Sequence, residues 1–158
     1  PKGAKVIRVN SVEEMNKAIK ECLKKKFDIA IMAAAASDYV VKNTISNKIK
    51  SDKKEINVKL VKAPKIIDVI KKKQKGIFLI GFKAETDISK KELVNRAKKK
   101  LKESNADMII ANDIGQKYNK DSSYNEIIII DSKKITNIPR TKKERLSKII
   151  CKNIEKRF

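Results

Sequence analysis

A chain of 158 residues, 41% of them hydrophobic, is long enough for one domain with its own core. No apolar run approaches the roughly 20 residues that cross a bilayer, so a cytoplasmic protein with no membrane partner is expected. With no histidine, and with Cys22 and Cys151 far apart, a zinc site and a Cys-His nucleophile pair are excluded, and both thiols are expected to be buried in helices.

A net charge of +21, from 40 Lys and Arg against 19 Asp and Glu, attracts anions and raises nucleic acid as a partner. The distribution argues against it. Lys17, Lys20, Lys71 to Lys73 and Lys98 to Lys100 spread the charge over several helical faces, and aromatic residues for base stacking make up only 4%.

Taken in order, Lys5 to Val9 reads as a first strand. Ser11 and Glu14 then stand at capping-box spacing before Met15, Ala18, Ile19, Cys22 and Leu23, which recur at helical spacing. The apolar run Ile29 to Ala36 ends in Ser37-Asp38-Tyr39 and reads as a fully buried parallel strand. Ligands of open α/β sheets bind beyond the carboxyl ends of the strands. There the alanines leave room, and Asp38 either meets a ligand or caps the next turn.

Lys48-Ile49-Lys50 and Ile56 to Val61 alternate around a polar turn and read as a β-arm, which should lean on another subunit or close over a ligand. Pro64 falls in the first turn of a helix reaching about Lys73, whose free amides make an anion site. Ile77 to Phe82 is a second buried strand running into Lys83-Ala84-Glu85-Thr86-Asp87, and Ser89 caps a helix through about Glu103. A third strand, Asp107 to Ala111, ends in Asn112-Asp113. Parallel topology would bring Ser37-Asp38, Glu85-Thr86 and Asn112-Asp113 to one rim, although each end alone also suits a cap or turn.

After a polar loop from Ile114 to Glu126, Ile127 to Asp131 and Ile135 to Asn137 form an edge hairpin. A last helix from about Lys142 to Lys156, capped by Thr141, turns Leu146, Ile149, Ile150 and Ile154 inward. The expected architecture is a single α/β domain over residues 1–158. It has three layers, a Rossmann-like, mostly parallel sheet, helices on both faces and a protruding β-arm.

Glycine stands only at positions 3, 76, 81 and 115, so neither GxGxxG nor the GxxxxGK loop exists, and phosphate binding would fall to lysines and a helix N-terminus. Against that background several segments occur together in order and spacing. They are Ala33 to Tyr39, Lys48-Ile49-Lys50, Pro64 to Ile67, Gly81 to Thr86, Ala97 to Leu101, Asp107 to Asp113 and Asn125-Glu126. In them the chain resembles phosphopantothenoylcysteine synthetase, or phosphopantothenate-cysteine ligase, specifically the carboxyl-terminal part of the ligase domain of the bifunctional coenzyme A biosynthesis protein.

The resemblance implies two steps. The carboxylate of 4'-phosphopantothenate attacks the α-phosphate of CTP, releasing pyrophosphate and forming an acyl-cytidylate; the amine of L-cysteine then displaces CMP. By the same resemblance Met32, Ala33, Ala34, Asp38, Lys48, Pro64, Lys65, Ile66, Ile67, Phe82 and Lys100 would line the nucleotide site, with Lys48 as the catalytic cation. Magnesium (Mg2+) would screen the triphosphate through waters, and the protein would be a homodimer. The family's Gly-rich first segment is not among these residues, so the chain is expected to be a fragment. Ser104 also stands where the family usually has a lysine. Two other readings stay open: a basic nucleic-acid-binding module and a non-catalytic nucleotide-binding subunit.

Overall fold

The computed structural model describes residues 3–43, 47–49, 51, 54–115 and 121–158. Their elements run α1 (Val12–Cys22), β1 (Ile29–Met32), β2 (Tyr39–Val41), β3 (Leu60–Lys62), α2 (Ile66–Lys73), β4 (Phe78–Glu85), α3 (Lys90–Ser104), β5 (Met108–Asp113), β6 (Tyr124–Asp131), β7 (Ile135–Lys142) and α4 (Lys143–Glu155). Five strands form one sheet in the order β1-β4-β5-β6-β7, while β2 and β3 pair apart from it as an antiparallel ribbon.

The sheet is mixed rather than mostly parallel. β4 runs parallel to both β1 and β5, whereas β5-β6 and β6-β7 are antiparallel. The connections explain the division. A parallel neighbour needs a crossover of a dozen or more residues, as α2 and α3 provide, but β6 and β7 are joined only through residues 132–134 and can form nothing but a hairpin.

Register sorts the core onto two faces. Ala30 pairs with Leu79 and Gly81 with Ile109, so these positions share a face, and α1, α2 and α3 cover it through Ile19, Leu23, Ile67, Ile70, Leu93 and Ala97. Ile80, Met108, Ile110, Ile127 and Ile129 take the other face and pack under Leu146 and Ile154 of α4. Helices thus lie on both faces, in three layers.

Local chemistry sets the helix ends. Ser11 Oγ accepts from Glu14 N at 3.1 Å while the Glu14 carboxylate accepts from Asn10 N at 2.7 Å, and Ser89 Oγ accepts from Glu92 N at 3.1 Å. Asn105, at φ 51°, closes α3 in the left-handed conformation that asparagine tolerates.

Several sequence expectations need correction. Residues 5–9 form no strand: among the described residues β1 has a ladder neighbour only in β4, and alternation makes a strand only where a ladder partner exists. β1 itself is four residues long and alternates between half-buried and exposed, since α4 does not cover Ile29 and Ile31. The ribbon pairs Tyr39–Val41 with Leu60–Lys62; Lys48 and Ile49 are exposed and outside any strand, and residues 50, 52 and 53 of the expected arm lie outside the described residues.

Pro64 precedes α2 by two residues instead of sitting in its first turn, and Thr141 belongs to β7, leaving Lys142 at the start of α4 without a side-chain cap. Cys22 is half-buried and Cys151 exposed, both unpaired, because Cys151 lies off the stripe that α4 buries.

Candidate functional site

Beyond the carboxyl ends of β1 and β4 lies a cavity of about 350 Å³. β1 stops at Met32, so Ala33 to Ala36 leave the sheet as exposed backbone with minimal side chains, and a ligand can approach that backbone closely. Ala63 N donates to the carbonyl oxygen of Asp38 at 2.9 Å, which ties this loop to the segment entering α2. The ribbon β2-β3 therefore holds Asp38 beside Ala63-Pro64-Lys65.

The floor depends on a missing side chain. A Cβ at Gly81 would come within 2.8 Å of Ile109 Cδ1 and 2.9 Å of Ile67 Cδ1, so glycine here lets the first turn of α2 settle onto β4. Ile66 and Ile67 are buried in that contact, Lys65 supplies no side-chain cap, and while Asp68 N donates to the Lys65 carbonyl at 3.1 Å, the amides of Ile66 and Ile67 have no acceptor within the helix. They form an anion-attracting end at the cavity wall.

Charge in the lining comes from Lys65, Lys83 and Lys100 against Asp38. Among the described residues neither Lys65 nor Lys100 makes an ion pair, and the Asp38 carboxylate takes no hydrogen bond. Lys83 Nζ lies 2.9 Å from Glu85 Oε1. This hydrogen bond, with the charges of Lys83 and Arg96, holds the Glu85 carboxyl below its ordinary range despite some loss of solvent. Three ammonium groups, a row of amides, small walls and one free carboxylate suit a polyanion with a hydroxyl-bearing end.

Of the eleven residues nominated from sequence, ten line this cavity: Met32, Ala33, Ala34, Asp38, Pro64, Lys65, Ile66, Ile67, Phe82 and Lys100. Lys48 does not; it is exposed on the segment beyond β2. The third strand end also stays out. Asp113 accepts from the backbone N–H of Asp87, Ile88 and Gly115 at 2.9, 3.0 and 2.8 Å, so it fastens the loop before α3 rather than meeting the cavity.

Sequence reasoning did not nominate Lys83, for which the signal was a lysine directly after the apolar run of β4. A wider hollow of about 690 Å³, between the start of α1 and Val40 to Lys42, shares Ala34 to Ser37 as a wall. Among the described residues its only charged lining side chains are Glu13 and Lys42, so the smaller cavity carries more ligand chemistry. Among the described residues no group of three or more Cys, Asp or Glu side chains is arranged to hold a metal ion.

The sequence profile described as the DNA/pantothenate metabolism flavoprotein C-terminal domain matches residues 1–158. The chain is 40% identical over 151 residues to the coenzyme A biosynthesis bifunctional protein CoaBC of Thermococcus kodakarensis, which covers 95% of this chain and 36% of that protein. It is 41% identical over 140 residues to CoaBC of Methanocaldococcus jannaschii, covering 89% and 34%. The chain thus spans about a third of the length of these relatives. Among solved structures, the DNA/pantothenate metabolism flavoprotein from Streptococcus pneumoniae superposes with a TM-score of 0.80 at 25% identity, covering 95% of this chain and 72% of that one.

Proposed function

The chain belongs to the family of the DNA/pantothenate metabolism flavoprotein C-terminal domain, and from that premise we propose that it is the phosphopantothenate-cysteine ligase part of a coenzyme A biosynthesis protein, with CTP as the activating nucleotide. The observation that carries this reading is the gathering of ten of the eleven nominated residues around one cavity with a cationic wall.

In this reading Asp38 accepts hydrogen bonds from the ribose or cytosine end, and the alanine loop Ala33-Ala34 lets the ring lie close to the backbone. The amides at the start of α2, with Lys65 and Lys100, receive the phosphates. Phe82 supplies an apolar wall. The carboxylate of 4'-phosphopantothenate attacks the α-phosphorus, the P–O bond to pyrophosphate breaks, and the amine of L-cysteine then attacks the acyl carbon and expels CMP.

Among the described residues Asp38 is the only carboxylate in the lining, which fits a magnesium ion that arrives on the triphosphate and keeps its waters rather than one held by a protein cage. Lys48, exposed beyond β2 and outside the cavity lining, is assigned the role of meeting the charge that grows during phosphoryl transfer.

The ribbon supports a homodimer. Tyr39, Val41 and Leu60 are large apolar side chains exposed on a hairpin that stands apart from the main sheet, a surface suited to a second copy. We place the protein in the cytoplasm, where two free thiols stay reduced; among the described residues no helix is long and apolar enough to cross a membrane.

Calorimetric titration with CTP and with ATP, each with magnesium, tests the reading. Saturable binding of CTP that Asp38→Ala weakens by about tenfold and that exceeds binding of ATP supports it. Binding of neither nucleotide, or binding indifferent to Asp38, overturns the assignment of this cavity. Lys48→Gln should leave the melting temperature in place and lower turnover; equal loss of both would remove its catalytic role.

A further inference from the structure

Lys83 lines the cavity, yet its ammonium is engaged by Glu85 at 2.9 Å, two residues on along β4. Glu85 does not depend on this one partner. Arg96 Nη1 on α3 lies 2.9 Å from its other carboxylate oxygen, and Arg96 Nε is itself 2.8 Å from Glu92. Removing Lys83 from the cluster would leave Glu85 with a charge-assisted hydrogen bond still in place.

The Lys83 side chain is 34% exposed, so its ion pair is of the kind that solvent screens and that exchanges at little cost. Lys65 and Lys100, the other cations of the lining, form no ion pair among the described residues. The cavity therefore holds two free ammonium groups and a third in reserve.

We propose that Lys83 is a further phosphate-binding residue of this site, parked on Glu85 in the empty cavity and transferred to the polyphosphate of a bound nucleoside triphosphate, while Arg96 keeps Glu85 neutralised. The inference deepens the nucleotide reading of the same cavity and rests on it. A polyphosphate carries several charges in a row, and its oxygens compete for Lys83 better than a carboxylate already shared with Arg96. Glu85 is the competing partner: it holds the Lys83 ammonium at 2.9 Å until a polyphosphate displaces it.

The experiment titrates the chain and its Lys83→Met, Lys83→Arg and Glu85→Gln variants with CTP, with inorganic triphosphate and with cytidine, checking each fold by its melting curve. Lys83→Met should weaken CTP and inorganic triphosphate on the order of tenfold and leave cytidine within about twofold, a split that general loosening of the site would not produce. Lys83→Arg should restore most of the loss, and Glu85→Gln should bind triphosphate as tightly as the parent or tighter.

Unchanged triphosphate binding in Lys83→Met, or an equal loss for cytidine, overturns the role of Lys83 while the nucleotide reading stands. Weaker binding in Glu85→Gln overturns the exchange. Inorganic triphosphate bound through Lys83 without preference for CTP over ATP keeps Lys83 and removes the cytidine assignment, and binding of none of the probes overturns both.

Discussion

The two flanks of the sheet are held by different means. On β6, Ile127, Ile128, Ile129 and Ile130 are each at most 4% exposed, because α3 covers one face of the strand and α4 the other. On β1, Ile29 and Ile31 are 39% and 51% exposed, and polar ties do much of the holding: the Gln74 side chain accepts from Phe27 N at 3.1 Å and donates to the carbonyls of Leu23 and Lys25. A strand closed on both faces can carry stability but cannot admit a ligand. A short strand that ends early, in alanines, leaves space at its carboxyl end, and there the cavity lies. Stability and the candidate site are thus separated along one sheet.

Substitutions that test this separation should rank accordingly. Ile129→Ala, in the fully enclosed strand, should cost about 3 kcal/mol, seen as a lower denaturant midpoint, while ligand binding at the far cavity persists in the folded fraction. Next comes Asp131, at the turn between β6 and β7. Burial pushes its carboxyl up, but the backbone N–H groups of Lys133 and Lys134, with the Arg157 guanidinium, outweigh this and hold it below the usual range. A depressed folded-state value means that the stabilisation is complete above the ordinary carboxylate range and disappears as pH falls through the lowered one.

Asp131→Asn should therefore cost about 2 kcal/mol at neutral pH, and the gap between the two proteins should close in acid below about pH 4. A gap that persists in acid would assign the loss to shape rather than charge. Gln74→Ala, on the polar flank, should cost about 1 kcal/mol and raise hydrogen exchange in residues 23–28 before it affects β6.

Much of the strong flank was legible in sequence because its determinants are local. Ser89 announces the cap of α3 within four residues, as Ser11 does for α1 on the other flank, and a run such as Ile127 to Ile130, followed by Asp131-Ser132-Lys133-Lys134, marks a buried strand and its turn. The weak flank was not, because its form depends on distant partners. Nothing within Lys5 to Val9 says whether a ladder awaits it, and nothing in Lys48-Ile49 says that Tyr39–Val41 pairs instead with Leu60–Lys62.

Asp38 and the helix start at Pro64 to Ile67 were legible as candidates from the residues, whereas the full lining was nominated through family resemblance; spacing alone could not show that Asp38, Ile67, Phe82 and Lys100 converge. Carboxylates were the hardest to read, since Asp38 at one strand end is left free among the described residues while Asp113 at another accepts three backbone amides. The same side chain is left open or fastens a loop, and the surrounding N–H groups decide which.

The smallest expected effect gives the sharpest test of the comparison. Ile31 and Ile80 are register partners on β1 and β4, side by side on one face of the sheet, with the same side chain. α4 packs on Ile80, which is 0% exposed, and leaves Ile31 51% exposed. Ile80→Ala should lose about 3 kcal/mol through lost burial and the void left behind. Ile31→Ala gives up contacts that are half solvated already and leaves no enclosed void, so it should cost no more than about 0.5 kcal/mol. Comparable losses at the two positions would mean that the β1 face is covered in solution, and dependence of the Ile31→Ala loss on protein concentration would identify the cover as a second copy of the chain.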